Sequence, residues 1–205
     1  MSLNAQVGVA LYLEKASICK QNNGKFSLND FHKKPIIIDA DTIFSTHFDC
    51  FVVSKAGQKG LYDAEGKCLL PITFSKISFD NSRYWLVNKD GKQGLYSYMG
   101  KEIMPPRYDS IEVISNYRTN AGNYFIVKKD LYGLCNNEGK FIVDPQYTAI
   151  KYRYLRFFKL TKGDSCHYLF NYKDIIKDIT LDDAMPITMQ RNEQNLFYFN
   201  YKQGK

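Results

Sequence analysis

The sequence predicts an all-β fold, built from tandem antiparallel meander or hairpin repeats of about 36 residues stacked as a β-solenoid-like array. Three observations lead there. The stretches "QKGLYDAEGKCLLPITFSKI" (58–77), "KQGLYSYMGKEIMPPRYDSI" (92–111) and "LYGLCNNEGKFIVDPQYTAI" (131–150) are near-copies of one another. The chain holds 16 Tyr and 14 Phe against one Trp, and such residues favour pleated, half-buried surfaces. Gly and Pro recur at fixed offsets, punctuating runs too short for helices.

Gly60, Gly94 and Gly133 serve as the origin of three modules. Nine residues earlier stand Phe51, Trp85 and Tyr124, each followed by two apolar residues and then Lys55, Lys89 or Lys128. That run predicts the first strand. The stretch from the origin Gly through Leu61, Leu95 or Leu134 predicts the second. "DAEG", "SYMG" and "NNEG" then read as four-residue connections, with Gly66, Gly100 and Gly139 in the left-handed region. The apolar pairs at 69–70, 103–104 and 142–143 predict a third strand. Pro71, Pro105 with Pro106, and Pro145 are expected to end it, because proline gives no amide hydrogen to the ladder. The aromatics Phe74, Tyr108 and Tyr147, with Ile77, Ile111 and Ile150, predict a short fourth segment capping each unit. One such meander has an apolar face that it cannot cover alone; stacking covers it.

The chain reads as a single repeat domain, 1–205, with clear repeats at about 48–81, 82–120 and 121–154. Degenerate repeats are expected at 10–47 and 155–205, as capping units usually are. The first places Gly24 at the origin, with Pro35 at the offset of Pro71; the last places Tyr168 there, and Gly204 begins a further fragment. A small closed β-propeller is the alternative architecture. It would pair "NLFYFNY" (195–201) with "VGVALYL" (7–13) and remove two sheet edges.

Apolar residues at 44% and charged residues at 24% match a globular chain and exclude a disordered one. No run approaches the roughly 20 apolar residues of a membrane helix, and no basic leader or cleavage site marks a signal peptide. Cysteines at 19, 50, 68, 135 and 166 form no C-x-x-C pair and share no module position. They read as reduced packing residues, hence a cytoplasmic location. The net charge of +7 is scattered, which suits solubility as well as an anionic partner.

Chemistry is sparse. His32, His47 and His167 share no module position, so no metal site is expected. Cys166 and His167 are adjacent, and neighbours on a strand point to opposite faces. Asp39 and Asp41 sit two apart on one predicted strand, which would suit a cation or acid–base work, against the plainer reading of a solvated turn. Asp182-Asp183 invite the same question. No phosphate loop, H-E-x-x-H or G-x-S-x-G occurs. The expectation is therefore no catalytic, cofactor or metal residue. "KYRYLRFFKL" (151–160) interleaves rings with cations, making Tyr152, Arg153, Tyr154 and Arg156 a candidate ligand surface.

Gly60, Gly94 and Gly133, the "GK" pairs at 66–67, 100–101 and 139–140, and "PPRYDSI" (105–111) together resemble the bacterial WG-repeat family (tryptophan-glycine, also called KWG). The likeness covers roughly residues 48–151. This chain departs from it in having Lys59, Gln93 and Tyr132 where the Trp should precede the origin Gly. The resemblance implies a β-repeat architecture that serves protein interaction and brings no catalytic residues. The expected function is a non-enzymatic module recognising a protein or a surface polymer. The alternatives are an enzyme whose site lies at a module junction or propeller centre, drawing on Cys166, His167 and Asp182, and a basic nucleic-acid binder.

Overall fold

The apolar runs and tight turns become antiparallel sheets of four strands each, in a computed structural model that describes residues 11–12, 16–80, 83–115, 123–153, 157–170 and 174–177. The first sheet holds β1 (Leu11–Tyr12), β2 (Ala16–Lys20), β3 (Phe26–Asp30) and β4 (Pro35–Ala40). The second holds β5 (Thr42–Ser45), β6 (Phe51–Lys55), β7 (Gln58–Tyr62) and β8 (Cys68–Phe74). The third holds β9 (Lys76–Asp80), β10 (Tyr84–Lys89), β11 (Lys92–Ser97) and β12 (Glu102–Tyr108). The fourth holds β13 (Ser110–Ile114), β14 (Tyr124–Lys129), β15 (Leu131–Cys135) and β16 (Phe141–Tyr147). The fifth holds β17 (Ala149–Arg153), β18 (Phe157–Lys162), β19 (Ser165–Phe170) and β20 (Asp174–Lys177). Strands neighbour in chain order within every sheet, so each is a simple meander. The architecture is an all-β repeat array. The terminal pairing that a closed propeller needs, 195–201 with 7–13, lies largely outside the described residues.

Adjacent sheets stack face to face, and the core is a series of seams between them. Ala16, Ile18 and Leu28 meet Ile43, Phe51 and Val53 at the first seam. Val52, Leu61, Leu70 and Phe74 meet Trp85 and Val87 at the second. Leu95, Met104 and Tyr108 meet Ile111, Phe125 and Val127 at the third. Ile126, Leu134, Val143 and Tyr147 meet Ile150, Phe158, Leu160 and Leu169 at the fourth. An inner sheet is therefore apolar on both faces, which explains the unbroken buried runs Phe51–Ser54 and Tyr124–Val127 where a one-faced sheet would alternate. One large ring per later sheet points back at its predecessor: Phe51, Trp85, Phe125 and Phe158, all essentially sealed from solvent.

The register corrects the module alignment in one place. Val53 pairs Gly60 and Val87 pairs Gly94, while Val127 pairs Gly133 across a turn one residue shorter. The partner of Phe51 and Trp85 is thus Phe125 rather than Tyr124, and that of Lys55 is Lys129 rather than Lys128.

Proline does not end the strand. β8, β12 and β16 run through Pro71, Pro105–Pro106 and Pro145, and the pairing slips as they do. Lys59 opposes Phe74 while Leu61 opposes Leu70, so two residues of β7 face four of β8. The same slip recurs opposite Gly94 and Gly133. Proline is accepted because these are the last strands of their sheets and the bulge needs no amide there. The bulged backbone lies over the origin glycine. A Cβ on Gly60 would sit 2.9 Å from Ile72 N and Leu70 O, and one on Gly94 would sit 2.8 Å from Pro106 N. On Gly133 it would sit 2.9 Å from Val143 O. All three glycines answer one steric demand.

The first sheet relaxes that demand. Phe26 opposes Ala40 while Leu28 opposes Ile37, so its bulge is one residue shorter, and Ser27 occupies the origin position. Gly24 instead lies in the β2–β3 turn at φ +82, and Pro35 matches Cys68 in register. In the fifth sheet Leu160 pairs His167, which puts His167 rather than Tyr168 at the origin.

The predicted fourth segment does not cap its own unit. Its aromatic closes one sheet and its Ile opens the next, with a single residue between: Asp41, Ser75, Asp109 or Thr148. Each of these donates its amide to the second strand of the following sheet, at Ser54, Asn88, Lys128 or Thr161 O, at 2.8–2.9 Å. Polar side chains fasten the crossing. Asp41 pairs with Lys25 and accepts from Ala56 N (2.7 Å); Asp109 pairs with Lys92 (2.5 Å) and accepts from Asp130 N (3.1 Å). Lys59 Nζ donates to Ser75 O (3.1 Å), and Gln93 Oε1 accepts from Ile111 N (2.8 Å). At the position before the origin glycine, Lys59 and Gln93 thus clamp the crossing, while Tyr132 packs against the fourth seam.

The second glycine of each module holds neighbours together. Gly66, Gly100 and Gly139 have φ of +89, +80 and +78. A Cβ on Gly100 would meet Leu69 O at 2.6 Å, and one on Gly139 would meet Ile103 O at 2.5 Å, both in the preceding sheet. The recurring Gly-Lys thus nests one turn on the previous unit.

Gly94→Ala is expected to cost about 1–3 kcal/mol through the clash with Pro106, read as a lower midpoint in thermal unfolding. Ser27→Ala, at the equivalent place in the first sheet, should shift the midpoint far less. Lys25 and Lys92 hold the carboxyls of Asp41 and Asp109 below their ordinary range, chiefly by hydrogen bonding. A depressed folded-state value gives stability that is complete above the unfolded value and is lost as pH falls through the folded one. Stability should therefore drop below about pH 4, and the drop should be shallower in the Asp41→Asn, Asp109→Asn double variant, followed by denaturation at stepped pH.

Candidate functional site

Two exposed rings, Phe48 and Tyr98, meet at the seam between the second and third sheets. The β5–β6 connection is closed by Thr46 N to Cys50 O (2.8 Å) and Cys50 N to His47 O (3.3 Å). Within it Phe48 takes φ 58, ψ 41 and Asp49 φ 52, left-handed conformations that a bulky side chain seldom adopts. The result pushes Phe48 outward, 52% exposed. From the third sheet come Phe79 at the end of β9 and Tyr98 with Met99 in the β11–β12 turn, Met99 being 59% exposed.

These side chains touch. His47 stacks on Phe79 with centroids 4.5 Å apart and planes at 29°. Phe48 stands at 75° to Phe79 (5.4 Å) and at 46° to Tyr98 (5.3 Å). Beneath them Trp85 packs on Phe79 at 4.7 Å and donates Nε1 to Tyr98 O at 3.2 Å. One buried indole therefore fixes both contributions of the third sheet. Cys50 lies below the loop, its thiol pushed up to about 11 by burial and then by the charges of Asp63, Asp49 and Glu65.

This ridge was not legible in the module alignment, because the loop 46–50 has no counterpart in the repeated positions. The one available signal was "THFDC" itself, two rings in a stretch where the neighbouring copies give no match.

The residues proposed from sequence lie elsewhere. Tyr152, in β17, is half-buried with its ring 5.2 Å from Phe158, on the core side of the fourth seam. Arg153 ends β17, while Tyr154 and Arg156 fall outside the described residues. Asp39 accepts from Asn23 Nδ2 (3.2 Å) and Asp41 is engaged by Lys25 and Ala56, so both carboxylates serve the fold. His167 Nδ1 lies 3.2 Å from the Tyr147 hydroxyl. His32, His47 and His167 stand in three different sheets' loops and strands, and no group of three or more metal-ligating side chains occurs among the described residues. Asp182 and Asp183 lie outside the described residues.

Strand order, seams and crossings define a repeat-built β-array whose unit is a four-stranded meander. Residues 132–154 match the family described as WG containing repeat, in agreement with the resemblance read from the sequence. No curated protein matches the chain. Among solved structures, the computationally designed Ika8 protein is 9% identical over 83% of this chain and 75% of its own, with TM-score 0.27. PorZ, titled an essential bacterial surface component of the type-IX secretion system of Porphyromonas gingivalis, is 10% identical over 80% of this chain, with TM-score 0.27; the chain spans 26% of it. The AfRom2 CNH domain is 14% identical over 95% of this chain and 76% of its own, with TM-score 0.30. Likeness this slight leaves the fold to be read from the strand order itself.

All five cysteines are free thiols, and burial raises Cys135 to about 12 as it raises Cys50. Cys68 is exposed. Brief alkylation of the native protein at neutral pH should modify Cys68 and spare Cys50 and Cys135, as mapped by peptide mass spectrometry. Early labelling of Cys135 would contradict the sealed third seam.

Proposed function

We propose that this chain is a non-enzymatic interaction module, in which stacked meanders form a stiff scaffold and the ridge of His47, Phe48, Phe79, Tyr98 and Met99 recognises a protein. The observation that supports it is the ridge. Several contiguous exposed apolar side chains on a soluble-type surface mark a binding face, whereas single ones do not. Phe48 adds weight, since a left-handed backbone is strained at a bulky residue and here it holds the ring 52% exposed. The rings also come from two sheets locked by a buried seam, so the surface is preorganised.

A photo-crosslinking side chain placed at Tyr98 in the source cells tests the reading. The expected outcome is a discrete adduct that is absent when the probe sits at Phe141, which is exposed on another sheet. Equal adducts at both positions, or none at Tyr98, would overturn it.

A further inference from the structure

We propose that the ridge accepts a lysine or arginine side chain from a basic segment of the partner polypeptide, an inference that rests on the interaction-module reading above. The rings are not a flat platform. Phe79 is covered by His47 and Trp85, whereas Phe48 and Tyr98 are both exposed and meet at 46°, so these two rings form the corner. Ring faces carry the negative part of the aromatic quadrupole, and a corner of faces suits a compact cation better than a planar or extended apolar group.

The setting is acidic. Asp49 follows Phe48 directly in the same loop and is exposed. Asp63, in the β7–β8 turn, accepts from Lys67 N (2.7 Å), which fixes its position. The charges felt by Cys50, at the foot of the ridge, are those of Asp63, Asp49 and Glu65, with no cation among them. A negative, ring-walled corner on a chain of net charge +7 runs against the average surface, which is what charge complementarity to a basic segment requires. At about 0.15 M salt the remainder of the +7 is screened beyond about 8 Å, so the local carboxylates dominate encounter.

The molecule carries its own reporter. Trp85 is the chain's one tryptophan and contacts both Phe79 and the Tyr98 backbone. Titrating the full chain with an eight-residue Lys/Arg peptide at about 0.15 M salt should change Trp85 emission saturably, while a Glu peptide of equal length and a Gly/Ser peptide should not. Phe48→Ala should weaken binding about tenfold, the size of one desolvated cation–π contact, and Asp49→Asn a few-fold. Both variants should keep close to the wild-type unfolding midpoint, because Phe48 and Asp49 are both exposed. Phe141→Ala should change nothing.

Absence of a saturable response, or equal affinity for the Glu peptide, overturns the assignment. If that happens while the Tyr98 probe still captures a partner, the cation class is wrong and the interaction module stands; if the probe also captures nothing, both fall. A ridge-dependent dimer in sedimentation would make the occupant a second copy and would likewise overturn the choice of a separate partner.

Discussion

The three central sheets of this fold depend on a backbone passing directly over a side-chain-free position. The last strand of a sheet bulges across Gly60, Gly94 or Gly133 with backbone atoms closer than any Cβ tolerates. That close pass bends the chain off its own sheet and delivers it to the next after a single residue. The first sheet makes the same one-residue crossing with Ser27 at the origin and a shorter bulge, so there the pass is looser. The proline beside the bulge belongs to the same device, since an amide donor there would have no acceptor. Crossing and stacking are thus one constraint met several times.

Stability in such an array resides at the seams rather than in the sheets. Each inner meander is apolar on both faces, and its large ring points backward while its leucines point forward. Neighbour contacts therefore dominate, as in other quasi-one-dimensional folds. The first sheet departs from this pattern. Ser17 stands where Phe51, Trp85 and Phe125 stand later, and Asn29 Nδ2 bonds Cys19 Sγ at 3.3 Å on that same side. On that side of the first sheet the polar residues Ser17 and Ser27 are buried, on the face where later sheets place rings.

Much of this was legible in the residues, and the failures have physical causes. Repetition of Gly, Pro and aromatic spacing revealed the unit because the same steric problem recurs. The assignment of Tyr124 went astray because a turn lost one residue, and an offset counted along the chain cannot see register. Proline was read as a terminator because sequence does not show that the strand lies at an edge. Gly24 drew the first repeat out of phase, since a turn glycine and a strand glycine look alike when written down. The ridge was harder still: it joins residues 47–48, 79 and 98, which only the seam brings together.

The offset between written repeat and folded sheet has a practical and an evolutionary meaning. A fragment trimmed where the text repeats would begin after its first strand, leaving the adjoining ring layer half covered. Cuts or fusions placed instead at Asp41, Ser75, Asp109 or Thr148 would separate whole sheets. For the gene the reverse holds. Unequal recombination at any point within the repeat splices the head of one copy to the tail of another and still yields complete meanders, so arrays of this kind lengthen or shorten without a seam to repair.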